Sequence, residues 1–420
     1  MRFETLQDWL SWQETLHPSE IELGLERIRQ VWERLHSGPF KPAVITVAGT
    51  NGKGSSCAML ESIYRHAGYR VGCYTSPHLL KYNERIKILG VDTDDASLCE
   101  AFAAVDQARE SISLTYFEFG TLAALYLFDR RQLDIIILEV GLGGRLDAVN
   151  ILDADVALLT SVGLDHQDWL GDDRGSIGRE KAGIFRKGRT AICAEHYPPE
   201  SVLTVARDLQ ADLLIAGRDF SVTRDKGSWS WRGPDKATRY SLPMPALRGN
   251  KQIDNASAVM MVIERLSNRF PVSQAHLRQG LLEVRLGARF EVLPGRIPVI
   301  LDVAHNPQAA EVLASHLREY ACQGQIHAVL AMKQGKDAAA VLSLLQPLVA
   351  EWYLGTVDNP QVISADTLAS LLYKQGVTTV HVEDTIIDAY EKALAAAQQG
   401  DCVLVFGSFY TVSDILAYLS

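Results

Sequence analysis

The sequence predicts a two-domain α/β protein in which buried strands alternate with helices. At 420 residues the chain is longer than a single hydrophobic core usually serves, so two domains are expected. Short runs rich in β-branched residues are apolar on both faces and are separated by helical stretches, a pattern typical of parallel sheets covered on both sides. Two such sets of strands occur, and a segment rich in proline and glycine separates them.

The first set of strands predicts a parallel sheet in the N-terminal part of the chain. Residues 218–245 then alternate aromatic and polar side chains around Gly-Ser and Gly-Pro turns, which indicates a small antiparallel excursion. A helix is expected near residues 252–268. The strands of the sheet are expected at residues 43–49, 70–76, 134–141, 155–163, 190–194 and 212–217.

The second set predicts a smaller, Rossmann-like α/β domain. The segment GARFEVLPGRIP contains two prolines and two glycines and indicates a linker, which we place at residues 291–297. Residues 1–290 then form the first domain and residues 298–420 the second. The second domain has no phosphate loop, so ligands are expected at its strand ends or in the crevice between domains. Its strands are expected at residues 298–306, 326–332, 351–357, 378–383 and 401–409.

Composition and charge favour a cytoplasmic protein that acts on small molecules. Apolar residues make up 47% of the chain and the net charge is −10, which does not support nucleic-acid binding but allows a local basic pocket. The six cysteines are scattered, as expected of reduced thiols. The N-terminus shows no signal peptide, and no stretch approaches the length of a membrane span, so no membrane partner is expected.

A glycine-rich stretch follows the first predicted strand. In VITVAGTNGKGSS, residues 44–56, three glycines and Lys53 lie within six positions. An ordinary tight turn is one interpretation, since glycine adopts positive φ without steric cost. The other is a loop whose N–H groups hold a phosphate at the start of a helix, with Lys53 reaching the terminal phosphates. Because Gly54 stands where the usual loop has its metal-binding hydroxyl, that hydroxyl must come from Ser55 or from elsewhere.

Polar residues also end three other predicted strands. A buried strand ends in Glu139, where a Mg²⁺ ligand is expected beside a phosphate loop, although a solvated glutamate is the alternative. A neighbouring strand delivers Asp165 and His166; a histidine at such a place is more often hydrogen-bonded than metal-bound. Ser76 follows a third strand and could supply the missing hydroxyl. The sequence therefore favours a metal site at this edge of the sheet.

Three basic residues nearby have ordinary explanations. Arg85 and Lys87 could face an anionic substrate, but from the residues alone a solvated basic face is the favoured interpretation. Lys181 lies in a predicted helix within SIGREKAGIFRKG, and spacing alone gives no reason to distinguish it from a surface lysine.

Nine motifs in order make the chain resemble the folylpolyglutamate synthases, and most closely the bacterial bifunctional dihydrofolate synthase/folylpolyglutamate synthases. The wider relatives are the ATP-dependent Mur amino-acid ligases. The matches extend from about residue 20 to residue 413, and jointly they are far more specific than the phosphate loop alone. The motifs are GTNGKGS, TSPHL, FEFGT, EVGLGGRLDAVN, LDH, GREKAGI, DNASA, DVAHNP and GSFYTV.

The resemblance implies a P-loop-type ATPase domain with defined ligands for ATP and metal. Two Mg²⁺ ions are implied, with Lys181 carbamylated by CO₂ to become an anionic ligand of the second; a monovalent cation is a further expectation. His305 is implied as a neighbour of the site, and Lys53, Lys181, His166 and His305 as the catalytic set. ATP would bridge the two domains and favour their closure. The implied ATP contacts are Thr50, Asn51, Gly52, Lys53, Gly54, Ser55, Asn255, Arg289 and Asp302, and the implied metal ligands are Ser76, Glu139, His166 and Lys181.

The resemblance also implies a site for a pterin substrate. A flat heteroaromatic ring can stack on Tyr116 or Phe117, and its polar edge needs acceptors such as Asp147. Packing of the same helix into the core is the alternative, which we expect for Phe119 and leave open for Phe117. The implied contacts are Ile21, Glu22 and Leu23, Thr115, Tyr116, Phe117 and Glu118, and Leu146, Asp147 and Ala148.

The implied reaction joins L-glutamate to 7,8-dihydropteroate and further glutamates to tetrahydrofolates. The substrate carboxylate would attack the γ-phosphoryl of ATP, and glutamate would displace phosphate from the acyl phosphate, leaving ADP and phosphate. A Mur-type cell-wall ligase, a folylpolyglutamate synthase without dihydrofolate synthase activity, and a nucleotide-binding regulator without catalysis are the alternatives. The expected partners are these small molecules, and the expected state is a monomer.

Overall fold

The structure, a computed structural model, describes residues 2–249, 251–320, 322–359 and 361–420. Met1, Asn250, Ala321 and Pro360 fall within the predicted domains but lie outside the described residues. The chain divides into two compact units. The first contains the residues up to His78 with Tyr82–Ala246 and Gln252–Arg285, and the second contains Leu79–Lys81, Leu247–Lys251 and Leu286–Ser420.

An eight-stranded sheet forms the centre of the first unit. The predicted parallel strands are confirmed, in the order β2, β5, β1, β6, β7, β8, and an antiparallel hairpin of β3 and β4 extends the β2 edge. This hairpin was not predicted, because strands of only three and two residues leave no recognisable pattern in the sequence. The strands are β1 (Ala43–Ala48), β2 (Val71–Tyr74), β3 (Ile86–Ile88), β4 (Val91–Asp92), β5 (Ile135–Glu139), β6 (Val156–Leu159), β7 (Thr190–Cys193) and β8 (Asp212–Ile215).

Helices cover both faces of this sheet, as the two-sided apolar strands require. Every residue of β1 and of β5 is buried. One helix, α5, is buried continuously from Glu118 to Phe128, which its almost wholly apolar sequence permits. The helices are α1 (Leu6–Leu16), α2 (Glu26–Leu35), α3 (Lys53–His66), α4 (Asp95–Arg109), α5 (Tyr116–Arg130), α6 (Gln167–Leu170), α7 (Arg174–Ala182), α8 (Glu200–Asp208), α9 (Lys251–Arg265) and α10 (Gln274–Glu283).

The predicted antiparallel excursion is confirmed as a separate three-stranded sheet. Its strands are β9 (Ser221–Asp225), β10 (Ser228–Arg232) and β11 (Thr238–Pro243), with β10 in the middle. Trp229 and Trp231 of β10 are buried, so this small sheet has an apolar face of its own.

The second unit contains a six-stranded sheet in the order β12, β13, β17, β14, β15, β16, parallel except for β12. The five predicted strands are confirmed. The predicted linker is not wholly irregular, since Glu291–Leu293 forms the edge strand β12 and the main part of the unit begins at Leu286. The strands are β12 (Glu291–Leu293), β13 (Val299–Leu301), β14 (Ile326–Leu330), β15 (Glu351–Thr356), β16 (Val380–Thr385) and β17 (Cys402–Phe406), and the helices are α11 (Pro307–Tyr320), α12 (Ala338–Leu345), α13 (Ala365–Lys374), α14 (Ile386–Ala396) and α15 (Phe409–Leu419).

Among the described residues, no helix combines the length and the apolar character that crossing a membrane requires.

Candidate active site

The glycine-rich loop between β1 and α3 has a backbone that only glycine allows at two positions. Gly52 caps α3 in the left-handed conformation, with φ of 87°. A Cβ atom there would lie 2.7 Å from Asn255 Oδ1, and one at Gly49 would lie 1.9 Å from Thr160 Oγ1. Both glycines are therefore required by conformation and by contact, as in a loop built to approach a phosphate closely.

Residues at the end of β6 hold this loop in place. Ser161 accepts a hydrogen bond from Asn51 N at 2.9 Å through its hydroxyl, and its carbonyl accepts one from Thr50 N at the same distance. The Thr160 hydroxyl donates to the carbonyl of Asn51 at 2.7 Å. Thr160 and Ser161 were not predicted as part of the site, although the run TSVG after a buried strand is a signal that could have indicated them.

Lys53 lies at the mouth of the loop. Its ammonium donates to the carbonyl oxygens of Gly49 at 3.0 Å and Thr50 at 3.4 Å, so the charge is held over the loop at the N-terminus of α3. A cation and a helix N-terminus at one place both attract an anion.

Asn255 approaches the same loop from α9. Besides its contact with Gly52, its amide nitrogen donates to Gln252 Oε1 at 3.1 Å. Gln252 in turn donates to the buried hydroxyl of Ser55 at 3.3 Å. The structure thus brings together the predicted ATP ligands Asn255, Gly52 and Ser55.

The predicted carboxylate Glu139 is buried at the end of β5, and Ser76 lies at the end of the neighbouring β2. Val47 of β1 is the register partner of Glu139, so the carboxylate stands beside the strand that leads into the loop. Glu139 is only 5% exposed, and its Oε2 accepts a hydrogen bond from Ser76 N at 3.1 Å. The structure therefore brings Ser76 and Glu139 together.

His166 is exposed and caps the short helix α6 with a positive φ of 51°. Its backbone N–H donates to the side chain of Asp165 at 2.9 Å. A metal-binding role for the His166 ring stays a prediction.

Lys181, which sequence reasoning alone placed on the surface, is buried near the end of α7. Its side chain is 5% exposed, and the backbone around it is packed against Gly144, where a Cβ would lie 2.8 Å from the Lys181 carbonyl oxygen. Burial, and after it the positive charge of Lys53, lower the pKa of Lys181 to about 7, although the nearby carboxylates of Asp165 and Asp147 oppose this shift. An amine with such a pKa is substantially neutral and nucleophilic at neutral pH.

Asp147 is the third charged group of this cluster. Burial raises its pKa to about 7, although the backbone N–H groups of Leu142 and Val149 donate to it at 2.8 Å and 3.1 Å. Its carboxylate is thus fixed by its own loop, beside Lys53 and Lys181. The neighbouring predicted contacts differ in burial, since Leu146 is half-buried and Ala148 is buried.

The start of α5 presents the predicted pterin-stacking aromatics. Phe117 is half-buried, packs on Gly141 and stacks on Tyr74 with ring centroids 5.8 Å apart. Tyr116 is also half-buried and meets Tyr82 edge to face. Phe119 is fully buried, which confirms that it belongs to the core.

The two polar residues of this segment form a capping box. Thr115 Oγ1 accepts from Glu118 N at 3.2 Å, and Glu118 Oε2 accepts from Thr115 N at 2.8 Å. Arg27 donates to the other Glu118 oxygen at 3.1 Å and forms an ion pair with Glu22 in the predicted segment 21–23. Sequence reasoning missed Arg27, because a charged residue in the first turn of a helix carries no local signal of a distant partner.

The two basic residues predicted to form a solvated face have partners within the first unit. Lys87 donates to Asp92 across the β3–β4 hairpin at 2.6 Å. Arg85 donates to His78 Nδ1 at 2.8 Å, and its guanidinium lies over the rings of Tyr82 and Tyr116. Burial, and after it the charge of Arg85, lower the pKa of His78 to about 4, which fits its role as acceptor.

In the second unit the predicted residues gather after β13. Asp302 accepts hydrogen bonds from Phe290 N at 2.9 Å and Ala304 N at 2.8 Å. Burial raises its pKa, and the nearby Arg289 opposes that effect. His305 is half-buried, with Nδ1 2.8 Å from the Val303 carbonyl oxygen.

The donor set fits a cation that keeps water and phosphate ligands. Within the described residues, no three histidine, cysteine or acidic side chains come together in a way that could hold a metal ion alone. Mg²⁺ is typically bound through one or two carboxylates together with substrate phosphates. A buried carboxylate, Glu139, beside a phosphate loop suits Mg²⁺ in that mode.

Comparison with known families and proteins agrees with this geometry. Residues 47–263 match the Mur ligase middle domain, and residues 288–409 match the Mur ligase glutamate ligase domain. The dihydrofolate synthase/folylpolyglutamate synthase of Escherichia coli is 43% identical over 413 residues, which are 98% of this chain and 94% of that protein.

Solved structures show the same similarity. E. coli FolC in complex with DHPP and ADP is 42% identical, covers 99% of this chain and 98% of that one, and gives a TM-score of 0.93. The Yersinia pestis bifunctional folylpolyglutamate synthase/dihydrofolate synthase complexed with AMPPNP and Mn is 44% identical, with the same coverage and a TM-score of 0.91. The chain therefore belongs to the dihydrofolate synthase/folylpolyglutamate synthase family of Mur ligases.

Proposed function

We propose that this protein is an ATP-dependent ligase that joins L-glutamate to the carboxylate of 7,8-dihydropteroate, forming dihydrofolate, and adds further glutamates to tetrahydrofolates. The observation that carries the proposal is a cluster in the first unit. The phosphate loop and the buried carboxylate Glu139 lie at the carboxyl ends of two paired parallel strands, and the buried amine of Lys181 interacts electrostatically with Lys53 of that loop. The names of the relatives supply the substrates.

A carboxylate does not condense with an amine in neutral water, because its oxygen is a poor leaving group. In the proposed reaction the substrate carboxylate attacks the γ-phosphorus of ATP and ADP departs, which leaves an acyl phosphate. Lys53, whose ammonium donates to the carbonyl oxygens of Gly49 and Thr50, would stabilise the charge on the transferring phosphoryl group. The amine of glutamate then attacks the acyl carbon and phosphate leaves, with loss of one proton from nitrogen.

We propose ligands for two Mg²⁺ ions. Ser76, Glu139 and His166 would hold one, and Lys181, as a carbamate, would contribute to the other. A bound divalent cation supplies charge neutralisation on the phosphate oxygens. The carbamate would form when the neutral amine of Lys181 adds to CO₂ and loses a proton, and the pKa of about 7 makes that amine available at neutral pH. A monovalent cation is a further proposed component.

The remaining roles follow the same proposal. Arg289, Asp302 and Asn255 would bind ATP, with His305 near the site. Segment 21–23, the start of α5 with Tyr116 and Phe117, and Asp147 would receive the pterin ring. We further propose that the protein works as a cytoplasmic monomer, without a nucleic-acid or membrane partner. The molar mass in solution, measured by light scattering after size-exclusion chromatography, tests whether the protein is a monomer.

A coupled ADP-release assay tests the activity. We expect ADP to form only when MgATP, 7,8-dihydropteroate and L-glutamate are all present, and we expect the Lys53→Met variant to form almost none while keeping its melting temperature. ADP release at the same rate with and without 7,8-dihydropteroate would contradict the proposal. Absence of any ADP release by a folded protein that still binds ATP would favour a nucleotide-binding regulator.

A further inference from the structure

Arg27 joins two segments of the first unit that are far apart in sequence. It is the second residue of α2, and its guanidinium makes an ion pair with the Glu22 side chain. The same group donates to the backbone carbonyl of Glu22 at 3.2 Å and to Glu118 Oε1 at 3.1 Å. One side chain thus holds both the main chain and the side chain of the loop before α2, and ties that loop to the start of α5.

Glu118 is engaged through both of its oxygens. It is 3% exposed; Oε2 closes the capping box of α5 at Thr115 N, and Oε1 receives Arg27. Removing the cationic partner of a buried carboxylate strongly destabilises the folded protein, because it leaves a buried charge without compensation. Arg27 therefore supplies the cationic partner of the buried carboxylate that closes the cap of α5.

The helix that carries Arg27 is firmly anchored. Ile28, Val31 and Trp32 of α2 are buried in the core of the first unit. The guanidinium has a planar fork of donors, which fixes the direction of each bond as well as its length. A lysine at this position would keep the charge without the geometry.

We propose that Arg27 is a positioning residue for the pterin substrate, because it sets segment 21–23 against the aromatic start of α5. This inference rests on the proposed function, in which those two segments bind the ring. A flat heteroaromatic ligand needs its walls held at one separation, and errors of about 1 Å in positioning groups are costly. Arg27 acts through Glu22 and Glu118 and need not touch the reacting atoms.

The test compares Arg27→Gln with Arg34→Gln, a control on the same helix whose exposed guanidinium bonds to the Ala108 carbonyl and pairs with Glu110. We expect Arg27→Gln to raise the KM for 7,8-dihydropteroate by about tenfold or more, with the KM values for ATP and glutamate within about twofold of wild type. Arg27→Lys should recover only part of the loss, and Arg34→Gln should match wild type. A general loss of folding would lower the fraction of active enzyme, and therefore the apparent kcat, without raising the KM for 7,8-dihydropteroate alone.

Hydrogen exchange on the unliganded proteins separates this inference from the proposed function. In Arg27→Gln, peptides covering residues 17–24 and 113–118 should both exchange faster, while those of α3 should not change. Unaltered exchange in both segments, or equal changes in the three KM values, would overturn the positioning role. If the wild type gives no pteroate-dependent ADP release, the proposed substrate is wrong, and the exchange result still decides whether Arg27 couples the segments.

Discussion

The positive charge of Lys53 lowers the pKa of the Lys181 amine, and it is the second largest cause, after burial, of a pKa of about 7. The lysine of the phosphate loop and the lysine of α7 thus share one electrostatic environment, 128 positions apart in sequence (181 − 53). The relationship links phosphate binding to the chemistry proposed for Lys181.

The buried amine of Lys181 should make the free energy of unfolding depend on pH. The Lys181→Met variant should lack this dependence. The pKa of Lys181 is lowered from 10.5 to about 7, so the unfolded state binds more protons between these values and stability rises with pH there. In CO₂-free buffer we expect the variant to be more stable than wild type at pH 7, by an amount of the order of a few kcal/mol, since one pKa unit is about 1.4 kcal/mol. The gap should narrow as the pH approaches about 10.

Thermal melts of both proteins measure this gap. They are best compared above about pH 8, because Asp147, whose burial raises its pKa to about 7, titrates below that range. A gap that stays constant or widens as the pH rises would contradict the buried-amine account.

Carbamylation of Lys181 predicts that activity depends on CO₂ and that a small carboxylate can replace the missing carbamate in a Lys181 variant. Lys181→Ala should lose activity by about 100-fold or more, as removal of a transition-state electrostatic group typically does. Acetate should restore part of the activity, because a small carboxylate can occupy the space of the carbamate. Phosphate release in bicarbonate-free buffer measures the effect, with Lys187→Ala at an exposed lysine after α7 as control. Full activity of Lys181→Ala at low bicarbonate would exclude a ligand role.

Substitution at Gly52 should weaken nucleotide binding because the new side chain would contact Asn255, in addition to any backbone strain. In Gly52→Ala the new methyl would lie 2.7 Å from Asn255 Oδ1, in a left-handed conformation. Gly38→Ala is the matched control, since Gly38 has φ of 101° with open space around it. We expect titration calorimetry with MgADP to show at least about tenfold weaker binding for Gly52→Ala and none of this loss for Gly38→Ala. An equal loss of MgADP affinity in the two variants would contradict the role of the contact with Asn255 and would favour backbone strain as the cause.

Glu139 should control binding of the divalent cation. Glu139→Gln removes the charge but keeps the size, so Mn²⁺ binding followed by EPR in the presence of ADP should weaken by about tenfold or more. Glu61→Gln serves as control, because Glu61 is likewise a buried glutamate of the first unit but lies on α3, where burial raises its pKa. If both variants bind Mn²⁺ like wild type, Glu139 is not a ligand.

The parallel strands and the phosphate loop are predictable because their signals are local. The strand before Gly49 is a continuous run of β-branched and small residues, and the loop's glycines and Lys53 are adjacent in sequence. Carboxyl ends of parallel strands share one edge, so the sequence alone predicts that Ser76 and Glu139 lie near one another. The observed bond between Ser76 N and Glu139 agrees with that reasoning.

Residues whose roles depend on distant partners were not predictable from local pattern. Lys181 follows a helical pattern that suggests the surface, and only packing against the Gly144 loop buries it. Arg27 meets Glu118 across 91 positions. The edge strand Glu291–Leu293 forms because it pairs with β13. That pairing has no local signal in the sequence, whereas the nearby prolines and glycines indicate a linker. Tertiary contacts decide these cases.

The most direct test of the central claim is mass spectrometry of the products after incubation with MgATP, L-glutamate and either 7,8-dihydropteroate or tetrahydrofolate, with phosphate release measured in parallel. We predict a single-glutamate adduct from dihydropteroate and a lengthened glutamate chain from tetrahydrofolate, each with one phosphate per bond formed. An adduct from tetrahydrofolate alone would identify a folylpolyglutamate synthase without the first activity. No adduct from either substrate would contradict the account, and UDP-linked cell-wall precursors would then be the substrates to test.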